Sequence, residues 1–184
     1  MKNIKQKLLI TLFMIGAGGG AAWATNTPAD ATITVTPIAN VSLSISATSY
    51  SFGPVSVNSS TNSATALTLT NNGQVDVAVT KAITNQSNPV GWTAGTAAAM
   101  DTYALYVATA TARPNITDYS VGNHLFGALS NSTALKGLGG GSPILNNPAG
   151  ATPSVSLWFR LDMPTTVSSQ ISRAITVEFT GTAQ

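Results

Sequence analysis

Short runs of alternating polar and apolar residues, broken by turn signals, extend from Thr32 almost to the C-terminus. Ile33 and Val35 sit among Thr32, Thr34 and Thr36. Val41, Leu43 and Ile45 alternate with Ser42, Ser44 and Ser46, and Leu67 and Leu69 with Thr68 and Thr70. Val75, Val77 and Val79 share one parity, as do Tyr103, Leu105 and Val107. Val155, Leu157, Phe159, Leu161 and Met163 form a longer set, and Ile175, Val177 and Phe179 the last. A period of two sends successive side chains to opposite faces, so each run reads as a half-buried strand. Gly53-Pro54, Asn71-Asn72-Gly73, Asn88-Pro89 and Pro164 punctuate the runs. Asn71-Asn72-Gly73 reads as a tight hairpin with positive φ at Asn72-Gly73. Thr165 to Ser172 reads as the return between the last two strands, with Arg160 and Glu178 as an outward cross-strand pair. No helical spacing lasts beyond two turns, although alanine-rich Ala94 to Met100 fits either a short helix or a loop. The expected fold is all-β, an antiparallel sandwich of about seven to nine strands. Thr109 to Ser154, rich in Pro and Gly, breaks the pattern as a long loop region. Connections this long are functional or contain hidden elements, and Ser120 to Leu129 is the candidate.

Residues 1–24 read as a signal peptide. Lys2, Lys5 and Lys7 precede the apolar Leu8 to Ile15, and Ala22-Trp23-Ala24 offers a small-x-small cleavage site. The strongly apolar core is shorter than the roughly 20 residues of a membrane span. Cleavage would leave 25–184 as a single domain with no transmembrane anchor, secreted to the periplasm, cell surface or extracellular space. The signal and the absence of cysteine fit a bacterium. After residue 24 the cations are Lys81, Arg113, Lys136, Arg160 and Arg173, and the anions Asp30, Asp76, Asp101, Asp118, Asp162 and Glu178, a net charge of −1. This balance lacks the basic footprint of a nucleic-acid binder. A charge-poor surface has little self-repulsion and favours association.

The residues that carry chemistry are few. With no Cys and one His, a disulfide scaffold, a thiolate zinc site, a Cys nucleophile and a multi-histidine metal centre are excluded. His124 with a serine and Asp118 or Asp101 would make a triad, but no Gly-x-Ser-x-Gly elbow singles out a serine. The acids are scattered; Asp162 and Glu178 lie on late strands, where pairing with Arg160 or Arg173 is the expectation. No Asp-x-Asp-x-Asp-Gly run marks a calcium loop. Gly137-Leu138-Gly139-Gly140-Gly141 lacks the Gly-Lys-Ser/Thr ending of a phosphate cradle and reads as a flexible loop. The five Asn-x-Ser/Thr sequons, at Asn40, Asn58, Asn85, Asn115 and Asn131, follow from Ser/Thr abundance. Lys81 follows the inward parity of Val75, Val77 and Val79, so it either snorkels out or, beside a buried acid, crosslinks to an Asn. Trp92, Tyr106, Tyr119 and Trp158 would form a sugar-stacking platform if exposed, against packing as the ordinary role of such rings. The expectation is a protein that is not an enzyme, with no catalytic, cofactor or metal site.

Residues 50–80, YSFGPVSVNSSTNSATALTLTNNGQVDVAVT, run aromatic-x-Phe-Gly-x-Val, polar loop, strand, Asn-Asn-Gly, strand. This resembles the immunoglobulin-like domains of the ASPM/SPD-2/Hydin type and of the major-sperm-protein-like group. Leu157-Trp158-Phe159-Arg160, Pro164 and Ile175-Thr176-Val177 are similar to the closing strands of secreted bacterial β-sandwich proteins. The resemblance implies an immunoglobulin-like sandwich with a non-catalytic role and brings no family active site. The function expected is a cell-surface or extracellular structural protein, a self-associating subunit of a filament, layer or appendage. The alternative is a module that binds envelope glycan or protein. Partners are then the protein itself or other envelope proteins. Ala31 to Ile45, long and alternating, would pair at home or add to a neighbour's sheet edge.

Overall fold

The alternating runs become strands, but the chain distributes them between two sheets in an order that sequence proximity does not predict. The computed structural model describes residues 34–36, 38–87, 91–128, 130–147 and 153–184. The signal-peptide segment 1–24 and Ile33 lie outside the described residues. Contacts divide the chain into two units, Met1–Thr36 and Pro37–Gln184. In the first, Thr34 to Thr36 are irregular and Val35 is 80% exposed.

The second unit is all-β. Its strands are β1 (Leu43–Ile45), β2 (Ser60–Asn62), β3 (Leu67–Asn71), β4 (Val77–Ser87), β5 (Thr93–Ala94), β6 (Thr102–Thr109), β7 (Thr133–Ala134), β8 (Ile144–Leu145), β9 (Ser154–Asp162) and β10 (Ala174–Ala183). A 3₁₀ turn, Ile116–Asp118, and one helical turn, α1 (Val121–His124), complete it. The described strands number ten, above the expected seven to nine, because β5, β7 and β8 are two-residue pieces. The first sheet runs β1-β3-β9-β6-β5 with β2 also on β9; the second runs β10-β4-β7 with β8 also on β4. All these pairings are antiparallel except β5 with β6, where residues 95–101 loop back and set Thr93 beside Thr102 in parallel. Both sheets feed one core: Leu69, Leu105, Val107, Leu157 and Phe159 from the first, Val77, Val79 and Ile83 from the second.

Two expected hairpins are corrected. Leu67–Asn71 and Val77–Ser87 do not pair, since β3 lies in the first sheet and β4 in the second. The Asn71-Asn72-Gly73 turn is therefore an arch between sheets. Neither Asn72 nor Gly73 has positive φ, whereas Gly53 does, at 69°. Gly73 is required for close approach: an added Cβ would collide with the Asn40 carbonyl and lie 2.9 Å from Ser42 N. Gly73→Ala is expected to destabilise by about 2 kcal/mol. Urea midpoints check this, with Gly139→Ala, whose Cβ meets open space, as the neutral control. The last two long strands are also in different sheets. Arg160 accordingly pairs with Asp162, two residues along the same face, at 2.7 Å, and not with Glu178. The expected long strand from Ala31 to Ile45 is a strand only at Leu43–Ile45 among the described residues, and Ala94 to Met100 forms no helix.

The long 109–154 region does contain elements. Its first part crosses the outer face of the first sheet, where Tyr119 and Leu125 pack on Ala104, Tyr106 and Ala108 with Trp158 beside them. β6 is thus buried on both faces, from Tyr103 through Ala108. Its second part returns along β4, where β7 and β8 pair with it and Leu135 and Leu145 enter the core.

Candidate functional site

On β4 the inward parity of Val77, Val79 and Ile83 includes Lys81, which is 1% exposed. Antiparallel pairing sets Thr133 opposite Lys81, and α1 brings the Asn123 carbonyl to the same place. The Lys81 ammonium donates to Ala134 O at 2.9 Å, Thr133 Oγ1 at 3.2 Å and Asn123 O at 3.5 Å. Its Nζ also stands 5.8 Å from the centroid of the Phe126 ring. Three donors meet three acceptors, so the buried head group is satisfied without a counter-ion. Burial, and behind it the charge of Lys136, lowers its pKa to about 8. The cleft beside it has a volume of about 150 Å³, lined among others by Lys81, Val121, Asn123, Leu125, Thr133 and Lys136. The lysine on the inward parity therefore neither snorkels out nor meets a carboxylate among its described bonds.

His124 lies at the end of α1 and is 1% exposed. Ser120 N–H donates to its Nδ1 at 2.8 Å, and its Nε2 donates to Gly137 O at 2.9 Å. The bonds fix the tautomer and commit both nitrogens to backbone. They fasten the turn at 120–124 to the glycine-rich loop. That loop is closed on itself, with Gly137 N–H on Gly141 O and Gly140 N–H on Gly137 O, each at 2.8 Å. Of the candidate triad acids, Asp101 accepts the Ser168 N–H and hydroxyl, which hold its carboxyl below the usual range. Asp118 accepts Asn115 N–H at 2.8 Å. Neither shares a hydrogen bond with His124. Among the described residues no three His, Asp or Glu side chains gather as metal ligands.

Arg160 and Asp162 form a two-bond pair, both contacts at 2.7 Å. The guanidinium also donates to Ile116 O at 2.7 Å and stacks over Tyr106 with Cζ 4.9 Å from the ring centroid. It thereby pins the covering segment to β9. Asp162 and Glu178, candidate partners from sequence, stand on different sheets. Tyr106 and Tyr119 are buried. Trp158 is half-buried and donates to Ala110 O at 3.1 Å, and Trp92 packs partly against the core. The four aromatic rings serve packing, and the exposed platform that sugar stacking requires does not form from them. Among the described residues no helix is long and apolar enough to cross a membrane.

Sequence parity flags Lys81. It gives no sign of Lys136 or Asn123, both from the region without periodicity: Lys136 reaches the cleft through the return along β4, and Asn123 through α1. No protein-family model, curated protein or solved structure matches this chain.

Proposed function

We propose that the protein is a non-catalytic structural subunit of the cell surface or extracellular space, an immunoglobulin-like β-sandwich whose copies associate into a filament, layer or appendage. The observation that carries this reading is β10. It is ten residues long, it pairs with β4 along one side, and among the described residues no strand lies on its other side. Proteins that stay monomeric blunt such edges with short strands, prolines or lysines. β10 has neither Pro nor Lys; its outward side chains are Thr176, Glu178, Thr180 and Thr182, all exposed. An edge that pairs with no described strand from Ile175 to Ala183 is a template for strand addition.

A segment with the alternation of a strand is also at hand. Val35, 80% exposed, lies in the stretch Thr32 to Thr36, whose sequence alternates with Thr. Hydroxyl-rich contacts avoid the desolvation cost of charges. Export rests on the basic and apolar pattern of the first 24 residues. The burial of Tyr106 and Tyr119 weighs against the alternative of a glycan-binding module.

Sedimentation velocity of the chain from Thr25 onward, over a concentration series, tests the reading. Concentration-dependent oligomers are expected, together with their loss in a Thr176→Lys/Thr180→Lys variant that keeps the wild-type circular dichroism. A strictly monomeric wild type at high concentration would overturn it.

A further inference from the structure

We infer that the cleft beside Lys81 and Lys136 is a carboxylate site, and that its occupant is the Glu178 side chain of a second copy. The inference rests on the self-association reading and names a contact beyond the β10 edge. Both cleft lysines lack an anion: among the described residues the one ion pair is Arg160–Asp162. Lys136, partly exposed in the wall of the cleft, offers its ammonium to an incoming carboxylate, and the charge of Lys81 behind it, whose donors are already taken by Asn123, Thr133 and Ala134, adds to the positive potential there. The volume, about 150 Å³, is well above the roughly 10–15 Å³ that admits one water and leaves room for a carboxylate and its methylenes. Val121, 54% exposed, offers apolar surface for the stem.

The described acids leave one candidate. Asp76 is engaged by Asn146 and Asn147, Asp101 by Ser168, Asp118 by Asn115 and Asp162 by Arg160. Glu178 is exposed and has no partner among the described residues. Its own chain cannot place it in the cleft. In the β4–β10 register Phe179 faces Lys81 and Glu178 faces Ala82. Lys81 points inward, so the Glu178 side chain projects from the opposite face of the sheet. The carboxylate must then come from another molecule.

Charge reversal tests this. Lys136→Glu and Glu178→Lys, both at positions that are not fully buried, are each expected to weaken self-association by about tenfold or more. An equimolar mixture of the two variants is expected to restore pairing, because the unchanged Glu178 of the Lys136→Glu variant meets the unchanged cleft of the Glu178→Lys variant. Association of wild type with no effect of either reversal would sink this contact and leave the structural reading standing. A monomeric wild type would sink both. Acetate, titrated as a probe and followed through lysine amine NMR shifts, identifies the other source. Acetate shifts at Lys81 and Lys136, with reversals that leave association unchanged, would assign the site to a free small carboxylate and overturn the second-copy occupant.

Discussion

Asn71→Ala is expected to lower the unfolding free energy by about 3–4 kcal/mol, among the largest losses available to a single polar residue in this chain. Asn71 is fully buried at the arch where the chain leaves the first sheet for the second. Its amide donates to Val75 O at 2.8 Å, Asn146 O at 3.0 Å and Leu145 O at 3.1 Å, and its Oδ1 accepts Gly73 N–H at 2.9 Å. Two amide hydrogens thus serve three carbonyls, one of them shared. Alanine would leave the carbonyls and an N–H without their partner in a place water reaches poorly. Asn71→Asp keeps the shape but turns a carboxylate toward three carbonyl oxygens, and is expected to cost more than alanine. Asn72→Ala removes an exposed bond to Ser44 and is expected to change stability by less than about 0.5 kcal/mol. Chemical denaturation of the three variants gives the ranking; equal effects at 71 and 72 would refute the keystone role.

Stability should rise between about pH 8 and pH 10 and fall beyond it. Lys81 titrates at about 8 in the fold against 10.5 in the open chain. Between those values the unfolded chain holds a proton that the folded one has released, so raising the pH favours the fold. Below pH 8 both states are charged and burial of the ammonium acts against folding in full. One pKa unit corresponds to about 1.4 kcal/mol; discounted for residual solvent screening, the gain is about 2 kcal/mol. Above pH 10 the sign reverses. Burial raises the pKa of Tyr103 and Tyr106 above that of a free phenol, and that of Tyr119 to about 12. The unfolded chain ionises first there, and the fold loses ground. Urea midpoints from pH 7 to 11 should trace this hump, and Lys81→Met should flatten its rising limb while keeping the alkaline fall. A rising limb that survives the substitution would remove Lys81 as its cause.

Which residues face the core is legible in the sequence because strand side chains alternate whatever their neighbours. Leu157, Phe159, Leu161 and Met163 are all buried as their parity predicts, and Lys81 stands out as a lysine on the wrong side of the same rule. Burial of β6 on both faces is foreshadowed by the unbroken run Tyr103 to Ala108. Pairing partners are not legible, since alternation says nothing about which sheet a strand joins. Asn-Asn-Gly looks alike in a hairpin and in an arch, and only the backbone of Asn40 pressing on Gly73 distinguishes them. Between β2 and β3 the ladder to β9 is carried partly by a side chain: Ser63 N–H donates to Phe159 O at 2.8 Å, and Ser63 Oγ accepts Phe159 N–H at 3.0 Å. In a chain this rich in serine, nothing in composition marks Ser63 for that duty. The cleft is half legible for the same reason, one lysine coming from a patterned strand and the other from an unpatterned return.

The segment that crosses the first sheet covers its outer face over β6 and β9, whereas Thr176, Glu178, Thr180 and Thr182 on the outside of the second sheet are exposed. Copies meeting through that side would satisfy each other and stop at a pair, because the contact is its own complement. A head-to-tail contact, one molecule's strand edge or acid meeting a different surface of the next, does not close on itself unless rotation brings it full circle. Under the self-association proposed above, the covering segment would act as a growth rule. It would take away part of a second broad side through which stacking could continue, and leave extension to contacts that repeat head to tail.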